Sequence, residues 1–262
     1  MSVTRLFVEA GLSAGAEVPL SEAHAHHLRN VMRKPEGAPL ALFNGRDGEW
    51  SATLMLQGKK ASAALVGSCV REQMGEPDLW LCFAPVKRAR IDLIAEKATE
   101  LGVSVLQPVL TQHTIVERVN VDRLQANALE AAEQTERLTV PAVRAPVDLM
   151  KLLAGWPPRR RLLLCDETGG GRPVAEALGG LDEAARAAPW AVLIGPEGGF
   201  SSAELEAVRR IKDVTSVGLG PRILRADTAA LAALVVWQAL VGDWRRPTPR
   251  LTTDYRTSKA TD

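Results

Sequence analysis

Four apolar residues, Ala191-Val192-Leu193-Ile194, run directly into Gly195-Pro196-Glu197-Gly198-Gly199-Phe200, and a helix-start signature follows at once. An apolar run without polar alternation is expected of a strand covered on both faces. Ser201 with Glu204 spells a capping box, and Phe200 with Leu205 spells the hydrophobic staple that sets a helix entry angle. Two adjacent glycines let the backbone turn and come close to a flat ligand, while Pro196 stiffens the approach. The succession therefore predicts a buried strand, a tight loop and a helix. In an open α/β sheet the loops beyond the carboxyl ends of strands hold the ligand. The other reading is a strand–turn–helix joint with no ligand.

Two further strand ends have the same character. One is Asp166-Glu167-Thr168-Gly169-Gly170-Gly171, after the apolar run 162–165. The other is Gly218-Leu219-Gly220-Pro221-Arg222-Ile223-Leu224-Arg225, after a strand expected over 214–219. Upstream, residues 79–84 and 103–110 read as two more buried strands. Ile91, Ile94, Ala98 and Leu101 recur between them at helical spacing, and Gly102 stands where a C-terminal cap belongs. Asn120 is placed to cap a helix running to about Leu138. Such alternation argues for an α/β domain with a mainly parallel sheet.

The first seventy or so residues have another rhythm. Short strands are expected over 5–8, 40–43 and 51–56, with hairpin-like punctuation at Asn44-Gly45-Arg46-Asp47-Gly48. One helix, from Ser21 to about Arg33, interrupts them. A small barrel-like β domain follows from this, and the polar stretch 72–78 is the candidate boundary. The domains are accordingly set at 1–72 and 73–245, with a Pro-rich, flexible tail at 246–262.

Composition narrows the chemistry. The 262 residues are 46% hydrophobic and 24% charged, ordinary for a globular protein. The formal net charge of +1 means that any nucleic-acid surface must be a local patch. Cys69, Cys82 and Cys165 show no Cys-x-x-Cys spacing and suit reduced thiols in a cytoplasmic protein. His24, His26 and His27 lack the further ligands of a zinc site, so no metal is expected. Residues 1–18 hold no apolar core of a signal peptide, and the run 229–241 is shorter than the ~20 residues of a membrane span. Gly218-Leu219-Gly220 begins a dinucleotide fingerprint, but Ile223 occupies its third glycine position. No Gly-x-x-x-x-Gly-Lys-Ser/Thr loop exists. A cofactor lacking pyrophosphate fits better.

Taken together, these stretches resemble the RsmE-type 16S ribosomal RNA uridine N3-methyltransferases of the SPOUT superfamily. The matching residues are 193–200, Gly218-Leu219-Gly220 with Ile223-Leu224-Arg225, and Asp227-Thr228-Ala229. Upstream, Glu96 to Val103, Glu133-Gln134 with Arg137, and His26-His27-Leu28 with Val31-Met32-Arg33 are also similar, so the likeness covers nearly the whole chain.

The resemblance implies a SPOUT-type trefoil-knotted α/β methyltransferase domain, an N-terminal PUA-like β-barrel domain and a homodimer. The implied reaction is transfer of methyl from S-adenosyl-L-methionine to N3 of a uridine in 16S rRNA, within the small ribosomal subunit. The implied cofactor residues are Cys165, Asp166, Gly195, Pro196, Glu197, Gly198, Leu219, Ile223, Leu224 and Thr228, with Leu and Ile side chains against the adenine. Arg225 is expected to stabilise charge on a uracil carbonyl. Asp227 is expected either as the base or as a helix cap, and Thr228 as a cap. His27, Arg29, Arg33 and Lys34, with Lys87, Arg88 and Arg90, are expected to grip RNA. The chain departs from the family pattern at Asp227, where Glu is usual, at His113, where Arg is usual, and at Leu124, where an aromatic is common. A silent RNA-binding protein of the same fold and a ribose 2′-O-methyltransferase are the rival readings.

Overall fold

The computed structural model describes residues 3–57, 61–116 and 118–246. Its contacts separate two units. The first contains Met1–Gly75 and also Ala132–Thr139, which the sequence reading assigned to the second domain. The second contains Glu76–Ala131 and Val140–Thr248. The expectation for residues 246–262 lies, beyond Arg246, outside the described residues.

In the first unit, β1 (Thr4–Phe7), β2 (Glu17–Pro19), β3 (Pro39–Phe43), β4 (Glu49–Gln57) and β5 (Ala61–Arg71) pair in the order β1-β3-β4-β5-β2. Alternate residues of all five strands share one core. Leu6, Val18, Leu40, Leu42, Ala52, Leu54, Ala64 and Val66 enter it, as period-two pleating requires. The predicted helix is present as α1 (Glu22–His26), which continues into a π-helical turn at His27–Val31. Leu28 anchors that turn in the core. At the β3–β4 turn, Asn44 Oδ1 accepts the amides of Arg46 and Asp47 at 3.0 and 2.9 Å, an Asx turn that fixes the hairpin.

Arg5 closes this unit chemically. Its guanidinium donates to Glu49 at 3.0 Å and to the carbonyls of Ala132, Glu133 and Arg137 at 2.8, 2.9 and 2.7 Å. Two of those carbonyls belong to the last turn of a helix, where unpaired acceptors and the negative dipole end favour a cation. The same guanidinium lies 4.5 Å from the Phe43 ring centroid.

The second unit is a parallel sheet between helices. Its elements in chain order are β6 (Leu79–Phe83), α2 (Arg88–Glu100), β7 (Val105–Leu110), α3 (Val121–Gln134), β8 (Ala142–Val143), β9 (Val147–Asp148), α4 (Leu149–Ala154), β10 (Arg161–Cys165), β11 (Arg172–Pro173), α5 (Val174–Gly179), α6 (Glu183–Ala187), β12 (Trp190–Ile194), α7 (Ser202–Arg209), β13 (Val214–Gly218) and α8 (Ala226–Leu240). The last residues of α3 fall in the first unit. The strand order is β11-β13-β10-β12-β6-β7-β8, with β9 also on β7. All these pairings are parallel.

Both sheet faces are buried. Leu79, Leu81 and Phe83 pack with α2, α5 and α8, whereas Trp80 and Cys82 pack with α4 and α7. The central strands β6, β10 and β12 are therefore apolar at successive positions. Gln238, buried in α8, donates to Leu101 O at 2.7 Å and accepts from Asp243 N at 3.1 Å, tying the ends of α2 and α8. Asn120 does cap α3, its side chain accepting from Arg123 N at 3.0 Å. No helix among the described residues is long and apolar enough to cross a membrane.

Replacing Arg5 by Met should leave Glu49, 5% exposed, with one cationic partner fewer, and the end of α3 uncapped. Breaking a buried pair in this way costs about 3 kcal/mol. A urea unfolding midpoint equal to that of the unaltered protein would refute the assignment.

Candidate functional site

Strands β12, β10 and β13 are neighbours and parallel, so their carboxyl ends lie along one edge of the sheet. The three Gly-rich loops leave from that edge and enclose a cavity of about 530 Å³. Cys165, Asp166, Glu167 and Gly169 line it from the first loop, and Ile194, Gly195, Pro196 and Glu197 from the second. The third side is Val217 to Ala226, with Ala229. This volume is in the ordinary range for a small-molecule site.

The loops approach each other closely enough to require glycine. A Cβ on Gly171 would collide with the backbone carbon of Val217 and stand 2.7 Å from Gly218 N. Gly199 has φ +71, a conformation that costs any other side chain strain. Its neighbour Phe200 is buried with Leu205 in one core, in keeping with the staple. The capping box is complete. Ser201 Oγ accepts from Glu204 N, and Glu204 Oε2 accepts from Ser201 N at 2.8 Å.

Side chains outside the loops hold them in place. Arg209 of α7 donates to Asp166 at 2.8 Å, and Thr168 N donates to the other oxygen of that carboxylate at 2.9 Å. Burial alone would raise the Asp166 pKa. The hydrogen bonds from Thr168 and Arg209 outweigh it and hold the carboxyl below its usual range, so it is ionised at neutral pH. Burial, aided by Glu167, pushes the Cys165 thiol up to about 12. Cys165 is therefore a neutral wall residue and not a nucleophile. On the second loop, Glu167 accepts from Phe200 N at 3.3 Å, and His113 Nδ1 lies 3.0 Å from Gly199 O. Gln112 N donates to Glu204 at 2.8 Å. Arg90 of α2 bridges to α8, lying 3.0 Å from Glu197 and 3.8 Å from Asp227.

Of the residues expected around the cofactor, Cys165, Asp166, Gly195, Pro196, Glu197, Leu219, Ile223 and Leu224 line the cavity. Gly198 and Thr228 are not among its lining residues. Gly198 packs instead under His113, whose Cβ would stand 3.1 Å from an added Cβ. The expectation of Thr228 as a helix cap is corrected. Arg225 occupies the N-cap of α8, and Thr228 lies inside the first turn. Arg225 lines the cavity and is exposed.

Asp227 is not a lining residue. Its Oδ1 accepts from Thr228 N at 3.0 Å and its Oδ2 faces Arg90. The carboxylate thus meets a first-turn amide and an arginine. Arg209 was missed as part of this site, and the bracing contacts of Glu167 and Arg90 were not foreseen. These contacts span 43, 33 and 107 residues of sequence, and local spacing carries no signal for them.

On the first-domain helix, His27 and Arg33 are exposed. Arg29 is half-buried and donates to Ser62 at 2.9 Å, so its Nε is committed internally. Lys87 is exposed at the start of α2, whereas the side chain of Arg88 lies outside the described residues. Arg90 is engaged as the bridge just described. Leu124 is fully buried in the core, where an aliphatic side chain fills the space. Among the described residues no three His, Cys, Asp or Glu side chains gather as metal ligands.

Comparison with known proteins places this geometry. Residues 74–238 match the RNA methyltransferase domain family, and residues 20–65 match the RNA methyltransferase PUA domain. Ribosomal RNA small subunit methyltransferase E of Rickettsia conorii is 30% identical over 240 residues, spanning 89% of this chain and 94% of its own. The protein of the same name from Synechocystis sp. is 33% identical over 243 residues, spanning 90% of this chain and 78% of its own. The crystal structure of ribosomal RNA small subunit methyltransferase E from Neisseria gonorrhoeae, bound to S-adenosyl methionine, superposes with a TM-score of 0.80 at 28% identity. It covers 93% of this chain and 100% of that one. A cavity made by three loops at adjacent parallel strand ends, in an α/β unit of the SPOUT class preceded by a PUA domain, makes this chain a member of the RNA methyltransferase family.

Proposed function

We propose that this protein transfers methyl from S-adenosyl-L-methionine to N3 of a uridine in the 16S rRNA of the small ribosomal subunit, acting as a cytoplasmic homodimer. The observation that carries the reading is the cavity itself, together with a relative of matching fold that binds this cofactor. The residues present fit the donor. Leu219 and Leu224 are partly buried apolar walls suited to an adenine face. The carboxylates of Asp166, Glu167 and Glu197 suit a cationic molecule better than a phosphorylated one. Backbone groups at Gly195, Glu197, Leu219 and Leu224 would hold the adenine and ribose.

When bound, the cofactor supplies an electrophilic methyl group on a sulfonium, and its sulfur leaves as a neutral thioether. The protein's task is then alignment and charge stabilisation. N3 of uracil carries a proton that must depart as the N–C bond forms, leaving anionic character shared with O2 and O4. Arg225, on the cavity wall and making no side-chain hydrogen bond at the N-cap of α8, is placed to offer its guanidinium to a carbonyl oxygen. With Asp227 engaged by Thr228 and Arg90, the proton leaves to solvent and Asp227 serves as a positioning residue. The partly exposed apolar side chains of α8, Val235 among them at 38%, support a paired copy on that face. His27, Arg33 and Lys87 are free to meet phosphates, which makes affinity for RNA salt-dependent.

The direct test incubates the purified protein with labelled S-adenosyl-L-methionine and small ribosomal subunits, then reads the nucleosides by mass spectrometry. N3-methyluridine is expected. Methyl on a ribose would favour the 2′-O reading, and no transfer would favour a silent binder. Cofactor at about 100 times its Kd should add about 2.7 kcal/mol to stability, and an unchanged melting temperature would remove the cofactor from the reading.

Arg225→Gln should lower kcat about 10²-fold with cofactor affinity nearly unchanged. An intact kcat removes Arg225 from the chemistry. Asp227→Asn should lose the same factor at neutral and at high pH. A loss that vanishes at high pH would restore Asp227 as the base.

A further inference from the structure

Ile223 lines the same cavity as Leu219 and Leu224 but differs from them in exposure. Both leucines are partly buried, whereas Ile223 is 95% exposed. No other large apolar side chain among the described residues is as open to water, Ile115 at 80% coming next. A side chain turned into a concave wall is shaded by its neighbours, so near-complete exposure means that Ile223 stands off the rim. It is therefore poorly placed to close on an adenine inside. A single exposed isoleucine is ordinary on a protein surface, and what singles this one out is its place on the cavity lining.

The surroundings indicate what that place serves. Ile223 sits between Arg222 and Arg225, both exposed and both on the cavity lining, with Pro221 stiffening the approach. An apolar tip on a short segment that also carries two exposed arginines suits a polyanion with flat apolar faces. A partner protein surface offers that combination less readily.

We propose that Ile223 is a specificity-determining residue that packs against the nucleobase next to the acceptor uridine, while Arg222 meets the adjoining phosphate. The inference rests on the reading of the cavity as an N3-methylation site and adds the reason for a wedge there. N3 lies on the pairing edge of uracil, so the acceptor must be unpaired and drawn out of its stack to reach the donor. The base left behind loses a stacking partner, and an apolar side chain at the rim fills the gap.

Ile223→Ser and Ile223→Phe separate the outcomes, and at an exposed position neither disturbs the core. With small ribosomal subunits as substrate, Ile223→Ser should raise KM for RNA about tenfold. Kd for S-adenosyl-L-methionine should stay within about twofold, the contrast expected of a base contact. Ile223→Phe should keep or lower KM, because an aromatic face stacks on a base. Weakened cofactor binding with RNA KM unchanged, or weakened in step with it, would overturn the proposal in favour of a cofactor lid. An unchanged KM for both variants would overturn it too, as would a shift from dimer to monomer in sedimentation, which would assign Ile223 to a second copy. Inactivity of the unaltered protein on RNA would count instead against the methylation reading, so the two failures remain distinct.

Discussion

The site depends on one constraint of sheet geometry, the adjacency of three parallel strands. With β10 held between β12 and β13, and all three running the same way, their carboxyl ends coincide along one edge. Any loop leaving one of them must share space with the other two. The loops are separated in sequence, starting after Cys165, Ile194 and Gly218, yet the hydrogen-bond ladder brings them together before any loop residue acts. Both sheet faces are sealed by helices, which leaves the strand ends as the place where backbone can meet a ligand.

Convergence alone would leave three loose loops. Their rigidity comes from contacts fixed in the free protein: Arg209 on Asp166, Glu167 on Phe200, His113 on Gly199 and Arg90 on Glu197. Close packing of Gly171 on Val217 and Gly218 removes more freedom. A loop already held in its bound form loses little entropy when a ligand arrives, and that lowers the cost of binding. It also serves group transfer, where misplacement by an ångström is expensive in rate. Arg90 reaches both Glu197 and Asp227 and so links the second loop to the start of α8.

How much of this was legible follows from the range over which each signal acts. The central strands β6, β10 and β12 were readable because burial on both faces makes them apolar runs, whereas the two-residue β8, β9 and β11 were too short to carry a pattern. The Ser201–Glu204 box and the Asn120 cap were readable because caps act over three residues. β5 was not. Ala61–Arg71 is rich in Ala, Ser and Gly, residues with weak strand preference, and its pairing with β4 gives it order that local propensity does not. The attachment of residues 132–139 to the first unit was equally invisible. It rests on Arg5 reaching carbonyls more than 120 positions away. The cavity lining was largely visible because glycines mark close backbone approach. Its bracing side chains were not, since an arginine on a helix looks the same whether it meets solvent, phosphate or a distant carboxylate.

The distribution of charge around the cavity then separates its two tasks. The acids that line it include Asp166, buried and kept ionised by its hydrogen bonds, together with Glu167 and Glu197. The lining arginines, Arg222 and Arg225, are exposed. A cationic donor and an anionic polymer placed in such a field would sort themselves, the first toward the carboxylates, of which Asp166 is buried, and the second toward the guanidinium groups. Arg225 stands on this lining at the residue before α8, with its guanidinium exposed. Asp227, two residues on, faces Arg90 and the helix amide. The short step from Arg225 to Asp227 thus divides a guanidinium on the cavity lining from a carboxylate held by the neighbouring helix.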